Sequence, residues 1–97
     1  MNWRSPKLLR IAREAPYCFH CLAQNTGRVV ACHSNQQRDS KGMSIKAHDY
    51  RIAFMCDECH FVVDRGPASR EIKQGIWEAA HRATIGWLIE NGKLVVA

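Results

Sequence analysis

The side chains able to do chemistry in this sequence fall into two groups. The first is a pair of C-x-x-C units, Cys18/Cys21 and Cys56/Cys59. The second is a set of histidines and aspartates: His33, Asp49, His60 and Asp64. Thiolates suit zinc, which is borderline-soft and accepts a tetrahedral shell without strain. Cysteine occurs five times, Cys32 being the odd one, and the charged N-terminus does not read as a secretion signal. Both features argue against a disulfide scaffold and for a four-thiolate zinc site. A shell closed by four cysteines offers no position to water or substrate, so this zinc is expected to be structural. Chemistry then has to come from the second group.

His60 and Asp64 lie four residues apart, so on a helix they share one face. An imidazole and a carboxylate can hold one divalent cation, with water and phosphate oxygens completing the shell. Neutral histidine accepts a proton near pH 7. This combination suits hydrolysis of a phosphodiester, which needs an activated water and a cation to offset charge on the phosphate and the leaving oxygen. His33 is the expected general base. His60, Asp64 and Asp49 are expected to hold or orient a Mg2+ or Mn2+ ion.

The elements that must position these residues are short. Ser5-Pro6 is a helix start, with serine as cap and proline in the first turn, and Pro16 stops that helix. "YCFHC" follows as a zinc knuckle. "GRVVAC" (27–32) and "YRIAFM" (50–55) read as strands, joined by a polar loop over residues 33–49. A short helix is expected from Cys56 to Arg65, ended by Gly66-Pro67. A longer one is expected over about 69–91, capped by Ser69 and stopped at Asn91-Gly92, with Ile72, Ile76, Ala79, Ala80, Ala83 and Trp87 at helical spacing. Knuckle, strand, loop, strand, then a helix opening on the second C-x-x-C is the plan of a treble-clef zinc finger. The expected fold is α+β: a single zinc-stabilised domain over 1–97, with the knuckle and ββα core at about 16–66 and helices flanking it.

Within that plan, "ACHSN", "SKGMSIKAHDYRIAFMCDECHFVVDRG" and the upstream C-x-x-C resemble small prophage-encoded nucleases of the HNH, or ββα-metal, superfamily. The matching positions are His33, Lys41, Gly42, Met43, Lys46, Asp49, Cys56, Cys59, His60, Asp64 and Gly66, so the resemblance covers roughly residues 16–66. It implies a metal-dependent DNA endonuclease acting in phage or prophage DNA processing or recombination. It also implies a cleft where Lys41, Lys46, Arg38 and Arg65 meet phosphates. The sequence departs from the wider superfamily at two points. Many members carry an acidic ligand just before the base histidine, where this chain has Cys32; a thiolate matches magnesium poorly, and Cys32 reads as a core residue. The superfamily's middle asparagine has no match at its usual distance, and Asp49 lies about two residues further from Cys56. A shift of two keeps the same strand face.

Composition agrees with an anionic partner. The formal net charge is +5 and the pI about 9.2, which places DNA first among partners, with phage recombination proteins as further candidates. No run approaches the ~18 apolar residues of a membrane span, and a cytoplasmic location in a bacterial host is expected. The alternative reading is a non-catalytic zinc module that binds DNA or another protein. His20, His48 and His81 read as surface or locally bonded histidines, and Trp77 and Trp87 as core.

Overall fold

A computed structural model describes residues 2–39, 41, 42 and 45–96. The first helix, α1 (Pro6–Arg10), begins as its sequence requires: Ser5 Oγ accepts from the Leu8 amide at 3.2 Å and Pro6 takes the first turn. It tightens into a 3-10 turn, Ile11–Glu14, two residues before Pro16. The hairpin consists of β1 (Val29–His33) and β2 (Ile52–Cys56), antiparallel, with His33 opposite Ile52 and Val29 opposite Cys56. A 3-10 turn at Gln37–Asp39 lies in the connection. Then come α2 (Asp57–Arg65) and α3 (Arg70–Glu90), the latter capped by Ser69. Among the described residues the architecture is therefore α+β: a two-stranded sheet and three α-helices.

Both faces of the small sheet are covered. Leu8, Ala12 and Ala15 pack with Val29, Ile52, Phe54 and Leu88 on one side. Cys32, Ala53 and Met55 pack with Val63, Trp77 and Ala80 on the other. A two-stranded hairpin is marginal alone, and this double cover is what stabilises it. Four of the five β2 residues are buried, so its backbone needs partners on both edges. β1 satisfies one edge. On the other, Phe54 N–H donates to Thr84 Oγ1 at 2.9 Å, Phe54 C=O accepts from the Phe19 amide at 3.0 Å, and Ile52 C=O accepts from His81 Nδ1 at 2.6 Å. Side chains of α3 and a backbone amide of the knuckle thus do the work of a third strand.

That role sets the rotation of α3. Its buried residues are Trp77, Ala80, Thr84 and Leu88, while Ile72, Ala79 and Ala83 face solvent. The apolar spacing alone points to a face displaced from this one, because Thr84 and His81 are turned inward by backbone groups of β2. His81 is accordingly part of the interior packing, stacked on Trp77 with ring centroids 5.0 Å apart. Trp77 is buried, and Trp87 packs against the first cluster.

The 33–49 connection is polar but anchored. Ser34, Asp39, Ala47 and Asp49 are buried in it. Ser34 Oγ donates to Asp39 Oδ2 at 2.5 Å, and Arg51 Nε meets Asp39 Oδ1 at 2.9 Å. Arg51 also pairs with Glu78 and lies over the Trp77 ring at 4.7 Å. Met43 lies outside the described residues. Among the described residues, no helix is long and apolar enough to cross a membrane.

Candidate metal centre and adjoining groove

The knuckle is shaped by its own backbone. Cys18 N–H donates to Ala23 C=O at 2.9 Å and Leu22 N–H to Cys18 C=O at 3.0 Å, closing a tight turn. The turn places Leu22 at φ 65°, a left-handed conformation that a leucine adopts at a cost. The amides of His20 and Cys21 point at Cys18 Sγ, each at 3.4 Å. On the other side, β2 delivers Cys56, and the first turn of α2 delivers Cys59.

The sulfurs of Cys18, Cys21, Cys56 and Cys59 all lie within 4.8 Å of one another. Cys21 Sγ and Cys56 Sγ are 3.8 Å apart. Disulfide sulfurs would be about 2.05 Å apart. A tetrahedron with Zn–S bonds of about 2.3 Å has edges of about 3.8 Å. The donor set and its spacing therefore fit a structural metal ion such as zinc. Burial pushes the Cys18 thiol up, but the amides of Cys21, Cys56 and His20 outweigh it and bring the group down to about 7. Cys59 is pushed up, by burial first and by the neighbouring sulfurs next. Four negative sulfurs cannot coexist at this distance without a cation to neutralise them.

Beside this centre runs a groove of about 540 Å3, lined by His33, Ser34, Asn35, His60 and Asp64 together with Lys41, Lys46, Arg10 and Arg13. His33 ends β1. Its Nε2 is 2.8 Å from Asp49 Oδ1. An ionised carboxylate only accepts, so Nε2 carries a proton and donates it to Asp49. Asp49 is buried, and three partners fix it: His33, the Ser5 amide at 2.7 Å and Arg4 at 3.0 Å. Burial pushes its carboxyl up, but the hydrogen bonds from His33, Ser5 and Arg4 outweigh this and hold it below the usual range. Asp49 thus orients His33 and ties the N-terminal arm to the loop; its oxygens are taken up there rather than at His60 and Asp64.

His60 and Asp64 project from successive turns of α2, with His60 Nε2 2.9 Å from Asp64 Oδ2. The bond to Asp64, then that to Cys32, pushes His60 up to about 10. Burial pushes Asp64 up, yet His60 and Asn35 hold it below its usual value. The two form an imidazolium–carboxylate pair whose proton a cation would have to displace. Asn35 Nδ2 donates to Asp64 Oδ1 at 2.8 Å. Asn35 was not expected at the site; its place two residues after His33 is the signal that points to it.

The basic residues divide. Lys41 and Lys46 line the groove with His33. Arg65 lines a neighbouring depression with Asn35 and Asp64. Arg38 pairs with Glu78 at 3.0 Å. Arg10 and Arg13, from the first helical segment, add charge to the groove that sequence spacing did not assign there. Compared with protein-family models, with curated proteins and with solved structures, the chain matches none.

Proposed function

We propose that this chain is a metal-dependent DNA endonuclease of the HNH type, a treble-clef ββα unit whose four-cysteine zinc fixes the catalytic residues. The observation that carries this reading is the shared groove. A histidine with a carboxylate-fixed ring, a helix-borne His–Asp pair and four basic side chains open onto one space.

His33 Nδ1 accepts a proton from the attacking water. The water oxygen bonds to phosphorus while the P–O bond to one sugar breaks, and that oxygen takes a proton from solvent. Asp49 stabilises the imidazolium that forms, as an anion at 2.8 Å from Nε2. Lys41, Lys46, Arg10 and Arg13 hold the flanking phosphates. A divalent cation bound by His60 and Asp64 would supply charge neutralisation at the phosphate and the leaving oxygen. The context suggested by the sequence is phage or prophage DNA processing in the bacterial cytoplasm.

The same basic groove supports a second reading, a zinc module that binds DNA without cleaving it. Supercoiled plasmid incubated with the zinc-loaded protein and Mg2+, Mn2+, Co2+ or Ni2+ separates the two. Nicking supports the nuclease. Salt-sensitive binding with no nicking in any metal supports the second reading and overturns the first.

A further inference from the structure

We infer that Cys32 completes a second metal site with His60 and Asp64, and that its thiol selects a transition ion such as Zn2+, Co2+ or Ni2+ over Mg2+. One ligand atom from each of the three residues lies within 4.8 Å of the others. The ligands come from two packed elements, β1 and α2, so the spacing does not depend on a loop. Cys32 is fully buried, between Ala53, Met55, Val63 and Trp77. A sulfur with no solvent access is no nucleophile toward a polymer in the groove, but it can bind an ion from below. His60 and Asp64 line the groove, which leaves the outer side for water or a phosphate oxygen. Three protein ligands and one open position are the arrangement of a reactive ion, in contrast to the closed four-cysteine shell.

The surroundings support ligation. Asn35 holds one oxygen of Asp64, leaving the other toward His60. Trp77 Nε1 donates to the Cys32 carbonyl at 2.9 Å, which fixes the strand under the sulfur. Such outer partners orient metal ligands and are worth about 10–100-fold in affinity. Thiolate with imidazole favours the later first-row ions, whereas magnesium takes oxygen ligands.

This assignment deepens the nuclease reading by naming its ion, but it is tested by binding and not by cleavage. Protein carrying one equivalent of zinc is titrated with Co2+ and followed by absorption. A second equivalent bound with a thiolate-to-cobalt charge-transfer band is the expected result, resistant to excess Mg2+. Cys32→Ser should abolish the band and weaken binding by about tenfold or more, while zinc content stays at one equivalent. Because Cys32 is buried, Asp64→Asn on the helix surface provides an independent check: it should lose the second ion and keep the first. No second equivalent, or a second equivalent unchanged in Cys32→Ser, or equal affinity for Mg2+, would overturn the assignment. Binding as expected without any DNA cleavage would leave the metal site standing and overturn the nuclease reading alone.

Discussion

His33 and Asp49 act as one unit. The carboxylate holds the ring by Nε2, and in the proposed nuclease it would stabilise the charged ring, so its removal should slow chemistry more than binding. Asp49→Asn is expected to lower the cleavage rate by about 10–100-fold with little change in DNA affinity. Single-turnover rates and equilibrium binding, measured on the same substrate, check both halves. The sequence places Asp49 within reach of the site but does not reveal this partnership. Nothing in the residue types indicates that Arg4 and the Ser5 amide reach across to hold the other side of the carboxylate. The contact joins residues far apart in the chain, and short-range pattern carries no information about it. Cys32 illustrates the same limit from the other direction. Its position in an apolar strand marks it as core, which it is, yet the face it buries is also the face that meets His60 and Asp64.

The helices and strands were largely legible, because their ends carry local signals: Ser5-Pro6, the second C-x-x-C, Gly66-Pro67 and Ser69. Gly66 is needed for a reason of space. A Cβ there would come within 2.5 Å of the Val62 carbonyl oxygen, which accepts the Gly66 amide. Gly66→Ala should therefore disturb the end of α2 next to Asp64, costing about 1–3 kcal/mol, read as a lower urea midpoint. The rotation of α3 was not legible, since it is set by His81 and Thr84 meeting the open edge of β2. Arg51 fixes the same packing through Asp39 and Glu78. Burial pushes the Glu78 carboxyl up, but Arg51 and Gln36 outweigh it and hold the group below its usual value. A depressed folded-state value means the stabilisation is present above the ordinary carboxylate range and is lost as pH falls through the folded one. Glu78→Gln should thus be less stable than the parent by about 1–2 kcal/mol at pH 7. The gap should narrow as pH falls below the ordinary carboxylate range and close once it has passed the lower folded-state value, as urea midpoints across pH will show.

At the scale of the molecule, apolar clusters cover both faces of a small sheet among the described residues, and four cysteines placed to share a metal join the knuckle to the start of α2. A chain of this size gains much of its stability from such a tie. A structural zinc bound there would contribute about 10–16 kcal/mol at neutral pH, counted as folding free energy. Stripping the metal with a strong chelator should abolish the cooperative thermal transition, and added zinc should restore it; circular dichroism follows both. In the proposed nuclease a zinc at the four cysteines would hold the helix, and the adjoining groove would do the chemistry. The most direct test is cleavage of supercoiled plasmid by the zinc-loaded protein, with a divalent transition ion added, beside His33→Ala of equal zinc content and DNA affinity. Nicking by the parent is expected, with a rate about 10²–10⁴-fold lower in the variant. Equal rates in the two proteins, or no nicking by the parent in any of the metals, would contradict the nuclease reading.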